Sequence, residues 1–505
     1  MEGESHGEVE AAAKPHFVVI PFMEQGHMIP MVDMARLLAQ RGALVSFITT
    51  PVNAARIRPI IDHSLKSGST IRFVELRFPA AEAGLPEGCE NFDLIKSDEL
   101  IKPFIESASL MADQIELHLR QRTPAPDCMI SDSLQYWTAE LSQRLGIPRV
   151  IFHGPSCFYL FCALKIKREK IFDGIAVDDS KRFPIPDLPQ TIEIMKGHVR
   201  RMADSPGWEK LRDQVNLAEE TAAGVVLNTY EELEPWYIEA YRKAIGKDVW
   251  PIGPLSLYKE ADVGSRAARG RASSIDTEIL LRWLATKKQS SVIYVSFGSI
   301  CRNSRRHLIE IGRGLKASNV AFIWVVKEVE VLEEWLKGFE QRSTEEKGLV
   351  IRGWAPQTVI LSHPAVGGFV THCGWNSVLE AISVGVPMVT WPRFGDQFLN
   401  ERLVVDVLRI GVSVGATKVQ KFVPLEKREE EEEEEDEAAV KRDDVARAVV
   451  SLMEGGEEGE ERRVRARDLR EKAVRAMAEG GSSSENLKNF VIKYASHLRV
   501  IDPYV

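Results

Sequence analysis

The sequence predicts an α/β protein made of two doubly wound, Rossmann-like sheets facing one another across a cleft. Three observations carry this prediction. Short apolar runs rich in β-branched and aromatic residues recur along the chain, stretches of helical length separate them, and one polar, glycine-bearing interruption divides the series into halves. At 505 residues the chain can bury more than one core. Facing sheets of this kind bind ligands outside the carboxyl ends of their strands, so the loops after strands are where chemistry is expected.

Taken in order, His16 to Phe22 reads as the first strand, Met31 to Arg41 as an amphipathic helix closed by Gly42, and Leu44 to Ile48 as the next strand. Further strands read at Ile71 to Leu76, Cys128 to Ile130, Arg149 to Phe152 and Gly224 to Leu227. The punctuation Pro251-Ile-Gly-Pro254 and the polar stretch Tyr258 to Ser274, which lacks apolar periodicity, read as the interdomain linker. The second half repeats the pattern with Val292 to Val295, Ala321 to Val326, Leu349 to Ile351, Gly368 to Thr371 and Met388 to Trp391. A solvated loop is expected at about 426–440, where Glu429 to Glu437 are all acidic.

Composition narrows the function. The net charge is −9, and setting aside that one acidic run leaves acidic and basic residues balanced. The bulk of the molecule therefore offers no basic field for nucleic acid or anionic membrane. The six cysteines are scattered, without a C-x-x-C pair or histidines at zinc-ligand spacing, and read as free thiols of a reducing compartment. No apolar run approaches the ~18 residues of a membrane helix, and the acidic N-terminal stretch lacks a signal-peptide core, so a cytosolic protein is expected.

Residues 354–397 carry the strongest chemical signal: WAPQTVILSHPAVGGFVTHCGWNSVLEAISVGVPMVTWPRFGDQ. Strand Gly368 to Thr371 runs into His372-Cys-Gly-Trp-Asn-Ser377, and a helical stretch Val378 to Val384 stops at Gly385. A glycine-bearing turn at a helix N-terminus aims backbone N–H groups and the positive end of the helix dipole at one spot, which suits a diphosphate. His372, Asn376 and Ser377 add side-chain donors there. Glu380, one turn deeper on the same face, can accept from two vicinal ribose hydroxyls. Taken singly, Asn376-Ser377 would read as a helix cap and His372 as a structural histidine. In the first half, His27 comes after the first strand in a carboxyl-edge loop, and Asp132 lies at the end of the strand Cys128 to Ile130. An imidazole, with an ordinary pKa of about 6.5, suits a base that takes a proton from an attacking hydroxyl, and a carboxylate on its other nitrogen would fix the tautomer.

Residues 354–397 resemble, nearly position for position, the 44-residue nucleotide-sugar signature of plant UDP-dependent glycosyltransferases, and the resemblance runs from Lys14 to about Tyr494. It implies the two-domain GT-B fold, with residues 15–255 binding the acceptor and 256–480 the UDP-sugar. A C-terminal helix within 481–505 would cross back onto the first domain. It implies that Trp354, with Ala355 beside it, stacks on uracil; that Gln357 and Glu380 bind the ribose; and that Ser299, His372, Gly374, Asn376 and Ser377 hold the diphosphate. Trp375, Asp396 and Gln397 match positions that touch the sugar. His27 matches the catalytic base and Asp132 its orienting acid. Phe22, Leu134 and Phe394 match positions lining the acceptor cleft, and all three are apolar.

PFMEQGHMIPMVDMARLLAQRG and IFHGPSCF are similar to a branch of these enzymes acting on steroids, terpenoids, cytokinins and phenolics. Glu24 and Arg393 depart from it, standing where relatives carry small and apolar residues; both read as solvent-facing. Gln397 with Trp375 favours glucose, while Arg393 is the one nearby cation that a glucuronate donor would want. The resemblance implies inverting transfer of glucose from UDP-glucose to a hydroxyl of a lipophilic small molecule, a steroid or triterpenoid first and a flavonoid or other phenolic second. No cofactor or metal is expected, since Asp-x-Asp is absent, and a monomer is expected. A dehydrogenase would need G-x-G-x-x-G after the first strand, where this chain has EQGHM. A non-catalytic UDP-sugar-binding protein would not need the His27 and Asp132 pair.

Overall fold

The structure is a computed structural model. It describes residues 14–122, 124–176, 180–199, 206–257, 269, 273–327, 332–342, 347–420, 440–454 and 456–495. The acidic run Glu429 to Glu437 lies outside the described residues, as does most of the stretch read as linker.

The N-terminal half carries strands β1 (His16–Ile20), β2 (Leu44–Thr49), β3 (Ile71–Glu75), β4 (Cys128–Asp132) and β5 (Arg149–His153). A two-residue hairpin, β6 (Phe183–Pro184) and β7 (Glu193–Ile194), precedes β8 (Gly224–Leu227) and β9 (Asp248–Pro251). Apart from that hairpin these strands form one parallel sheet in the order β3-β2-β1-β4-β5-β8-β9. Both faces are covered by helices, which is why β1 reads as an unbroken apolar run behind His16. His16 itself is buried and satisfied, its ring nitrogens bonding Pro124 O at 2.9 Å and Ser46 Oγ at 2.8 Å.

The C-terminal half repeats the design with β10 (Val292–Ser296), β11 (Ala321–Val326), β12 (Gly348–Arg352), β13 (Val366–Thr371), β14 (Met388–Thr390) and β15 (Gly411–Ser413). They form a second parallel sheet, ordered β12-β11-β10-β13-β14-β15. In each sheet the order reverses beside the first strand, between β1 and β4 and between β10 and β13. A crevice opens at such a switch point because the flanking loops leave in opposite directions.

Six helices frame the crevices and the C-terminal segment: α1 (Gln25–Gln40), α2 (Cys157–Arg168), α3 (Gln357–Leu361), α4 (Trp375–Val384), α5 (Gln397–Arg402) and α6 (Ser482–Tyr494). The last, expected to cross back, packs on the N-terminal sheet. Phe490 stacks on Phe17 with ring centroids 5.7 Å apart, and Asn486 Nδ2 donates to Pro251 O at 2.9 Å. Leu487, Phe490, Val491 and Tyr494 join the core beneath β1. Burying such side chains contributes roughly 1.5–3 kcal/mol each, enough to hold the C-terminal segment against the first domain.

Two expectations are corrected by the helices. The first helix begins at Gln25, not Met31. Pro30 lies inside α1, which runs through it. The helix at the signature begins at Trp375, with Gly374 as its N-cap, rather than at Val378. β9 and β15 went unread, being edge strands of four and three residues.

Candidate active site

β1 leads through Phe22 and Met23 to Glu24, the extended N-cap of α1. Its Oε2 accepts the Gly26 N–H at 2.6 Å, an anion on the positive end of a helix dipole. Its Oε1 accepts from Ser299 Oγ at 2.8 Å, on the turn after β10. Glu24 is thus buried between the two sheets' switch points, not solvent-facing. Further along α1, Pro30 lacks the N–H that would bond the Gly26 carbonyl, and Asn376 Nδ2 at the start of α4 donates to it instead, at 2.5 Å.

His27 consequently stands in the first turn of α1 rather than in a loop. Its Nδ1 lies 2.7 Å from Asp132 Oδ2, while Asp132 Oδ1 accepts the Leu134 N–H at 2.9 Å. The His27 side chain is 28% exposed and that of Asp132 not at all, so the imidazole has access to a ligand while the carboxylate is held between the imidazole and the Leu134 N–H. Burial opposes charge on the ring, but Asp132 first, then Glu24 and Asp396, outweigh it and lift the pKa to about 9. The Phe22 ring meets His27 edge-on at 5.3 Å and continues into Phe92 and Phe104, an apolar wall beside the base. Leu134 and Phe394 are half-buried, each against the core of its own half.

Across the cleft, α4 starts where β13 ends. Its first intrahelical bond runs from Val378 N–H to Gly374 O at 3.1 Å, so the N–H groups of Trp375, Asn376 and Ser377 have no partner within the helix. His372 is buried against Gly298 and Gly374. A Cβ on Gly298, whose φ is +72°, would lie 2.5 Å from the imidazole, so only glycine fits there. Burial, then Lys327 and Arg393, push the His372 pKa down to about 3, which leaves a neutral ring. Lys327 Nζ donates to the carbonyls of Gly298, Ser299 and Cys301 at 2.6, 3.0 and 2.8 Å, placing a positive charge under the turn that presents Ser299.

The expected ribose ligands are together. Gln357 Nε2 at the start of α3 donates to Ser377 Oγ at 3.0 Å and to Glu380 Oε2 at 2.9 Å. Trp354 is half-buried just ahead of them, and Ala355 is buried, its carbonyl accepting the Gln357 N–H at 2.9 Å. Asp396, the N-cap of α5, accepts from Asn400 Nδ2 at 2.7 Å; burial pushes its carboxyl up to about 6, against Asn400 and His27. Asn400 is in turn held by Ser156 Oγ at 2.9 Å, the N-cap of α2, and donates to Cys373 O at 2.9 Å.

Two residues carry hydrogen bonds that the sequence did not show, and a third differs from expectation. The Trp375 indole is buried and donates to Asn228 O at 2.8 Å, so its N–H is committed to the interior. Gln397 Oε1 accepts from the N–H groups of Arg393 and Phe394, at 2.8 and 3.1 Å, closing its own turn. Arg393 is buried rather than solvent-facing: its guanidinium lies 4.7 Å from the Phe297 ring and 4.4 Å from the Trp391 ring, and donates to Asn303 at 3.0 Å. Sequence reasoning missed Lys327, Asn400 and Arg269. Only Asn400, one turn after Asp396, carried any positional signal.

Two switch points thus face each other, one bearing a His–Asp pair and the other a helix N-terminus with ribose-type acceptors. The family model for UDP-glucoronosyl and UDP-glucosyl transferases matches residues 264–418. UDP-glycosyltransferase 73C3 of Arabidopsis thaliana is 43% identical over 94% of this chain and 94% of its own. The chain belongs to the plant UDP-glycosyltransferase family. UDP-glycosyltransferase 73E1 of Stevia rebaudiana is 44% identical to this glycosyltransferase over 94% of the chain and 95% of its own. Among solved structures, Glycyrrhiza uralensis UGT73P12 complexed with glycyrrhetinic acid 3-O-monoglucuronide superposes with a TM-score of 0.85, at 34% identity and 96% coverage of both chains. Phytolacca americana UGT2, complexed with UDP-2fluoro-glucose and pterostilbene, gives 0.74 at 25% identity, over 95% of this chain and all (100%) of that one. The glycosyltransferase therefore has the GT-B fold and uses a UDP-sugar as co-substrate. Among its described residues no helix is long and apolar enough to cross a membrane, and no group of His, Cys, Asp and Glu could hold a metal ion.

Proposed function

We propose that this glycosyltransferase moves glucose from UDP-glucose to a hydroxyl of a lipophilic small molecule, a steroid or triterpenoid, giving a β-glucoside. The observation that carries the reading is the 2.7 Å His27–Asp132 pair beside an aromatic wall, opposite the His372 to Glu380 donor cluster. The acceptor hydroxyl attacks the anomeric carbon as His27 Nε2 takes its proton. The carbon–oxygen bond to the diphosphate breaks on the opposite face and UDP leaves, so the configuration inverts. Asp132 stabilises the imidazolium formed, and the helix N–H groups with His372, Asn376 and Ser377 take up the charge developing on the diphosphate. In this reading residues 15–255 bind the acceptor and 256–480 the donor.

A triterpenoid-type acceptor is supported by the ligand of UGT73P12, and the apolar Phe22 ring beside His27 suits a hydrophobic aglycone. A phenolic acceptor is the second reading, favoured by the quercetin complex of Arabidopsis thaliana UGT89C1 and the pterostilbene complex of UGT2. Purified enzyme incubated with UDP-glucose and a mixed panel of steroid, triterpenoid, flavonoid and simple phenolic aglycones tests both. Products carrying a β-linked glucose on a triterpenoid or steroid hydroxyl are expected. Glucosylation confined to phenols refutes the acceptor assignment, and turnover only with another UDP-sugar refutes the donor.

A further inference from the structure

One residue of the stretch that reads as plain linker, Arg269, reaches into the donor site. Arg269 is nearly buried, with 10% of its side chain exposed. Its Nε donates to Asp33 Oδ2 at 2.8 Å and its Nη1 to Glu380 Oε1. Asp33 lies on α1, the helix of the base, and Glu380 on α4, the helix of the diphosphate site; both carboxylates are buried. A second contact fastens the same stretch. The Ser274 N–H donates to Trp354 O at 2.8 Å and its Oγ accepts the Trp354 N–H at 2.8 Å, along the residue expected to carry uracil.

The chemistry of this cluster is specific to arginine. A guanidinium offers donors in a rigid planar fork and can serve two carboxylates at once, where an ammonium is a single point charge. Two buried carboxylates without such a partner would be strongly unfavourable; Arg36, 3.6 Å from Asp33 Oδ1, supplies the second cation. A carboxylate has about four lone-pair sites. Arg269 takes one on Oε1 and Gln357 one on Oε2, which leaves an acceptor site on each oxygen for a pair of vicinal hydroxyls. Burial opposes the guanidinium's charge, but Asp33 and Glu380 outweigh it and hold it still more firmly protonated than a free arginine.

We propose that Arg269 is a positioning residue of the donor site: by bridging Asp33 and Glu380 it fixes the plane and neutralises the charge of the carboxylate that receives the ribose hydroxyls of the UDP-sugar. The proposal rests on Glu380 being the ribose ligand. Calorimetric titration of the full-length enzyme with UDP and 2′-deoxy-UDP, for wild type, Arg269→Gln, Arg269→Lys and Glu380→Ala, tests it. Arg269→Gln should weaken UDP by about tenfold or more and 2′-deoxy-UDP by much less, the scale expected for a charged hydrogen bond. Arg269→Lys, which keeps the charge but not the fork, should restore only part of the discrimination. In turnover, KM for the UDP-sugar should rise while kcat at saturating donor stays within about threefold, since the His27–Asp132 pair and the Glu24 and Gly26 contacts of α1 with the donor side remain. If Arg269→Gln binds UDP as tightly as wild type or more so, or weakens both nucleotides equally, Arg269 does not position the ribose ligand. Should Arg269→Gln fail to fold, unchanged discrimination in Arg269→Lys overturns the proposal equally. If Glu380→Ala binds UDP as wild type does, the ribose assignment itself has failed; if only the Arg269 variants are unaffected, the failure is the proposal's alone.

Discussion

Removing the Asp132 carboxylate should change the pH dependence of turnover more than its size at neutral pH, and the two obvious substitutions should not agree. In the free enzyme the His27 pKa is about 9 against an ordinary 6.5. At 1.36 kcal/mol per pKa unit, that rise favours the imidazolium by roughly 3 kcal/mol. A base must be neutral to act, so kcat/KM for the acceptor should climb about tenfold per pH unit from pH 7 and level near 9. The same carboxylate stabilises the imidazolium as it forms, so its benefit and its cost nearly cancel at pH 7. In Asp132→Ala the rising limb should move down, because burial is then opposed only by Glu24 and Asp396. Turnover should fall about 100-fold at pH 9.5 and only a few-fold at pH 7. Asp132→Asn should be worse at pH 7 than alanine. The Leu134 N–H holds Oδ1 at 2.9 Å, so an amide would keep its oxygen there and turn its NH2 toward His27 Nδ1, forcing the proton onto Nε2, the atom that must accept. Initial rates from pH 5.5 to 10 at saturating UDP-sugar decide it. A loss independent of pH in Asp132→Ala, or an asparagine variant more active than the alanine variant at pH 7, would refute the reasoning.

His27→Ala should lose at least ~100-fold in turnover with neutral hydroxyl acceptors while binding UDP as before, and retention of a tenth of wild-type activity contradicts a general base there. Glu380→Ala should weaken UDP and UDP-glucose alike by roughly 1.5–3 kcal/mol, whereas Gln397→Ala and Asp396→Ala should weaken only UDP-glucose; calorimetry in which Gln397→Ala weakens UDP itself refutes the division. Activity should survive excess EDTA, since His372, Asn376, Ser377 and Ser299 are the donors available to the diphosphate; loss restored by Mn²⁺ or Mg²⁺ overturns this. Thermal stability should fall as pH rises from about 6.5 through 9, because a pKa raised by folding stabilises fully below the unfolded value and is lost above the folded one. Scanning calorimetry should show that slope flattened in Asp132→Ala.

Most strands were legible because a parallel strand covered on both faces must be apolar at every position, which leaves a run like Phe17 to Ile20 in plain view. Two of the edge strands were not: Asp248 to Pro251 carries a charge and a proline, and Gly411 to Ser413 is too short for a pattern. The donor site was legible through the turn and helix start at His372 to Ser377, where local geometry alone makes an anion site. Orientation was not. Glu24 and Arg393 are charged residues whose burial depends on partners far away in sequence, Ser299 for one and the Phe297 ring and Asn303 for the other. Arg269 was hidden for the same reason: a polar stretch without periodicity has no local signal that separates a tether from a ligand-site residue.

The two switch points are joined through the helix that carries the base. α1 touches the donor side through Glu24 to Ser299, the Gly26 carbonyl to Asn376, and Asp33 through Arg269 to Glu380. All three are polar, and each uses a residue expected to hold the diphosphate or the ribose. Apolar packing could fix the distance between base and donor as well, but it could not respond to the nucleotide. Hydrogen bonds can: the Ser299 hydroxyl has one proton, so a ligand oxygen it served would take that proton from Glu24, while the Asn376 amide has two and can serve a ligand and the Gly26 carbonyl at once. On the proposed function, the side chains that meet the UDP-sugar also touch the helix that carries His27, so donor and base are tied through shared contacts.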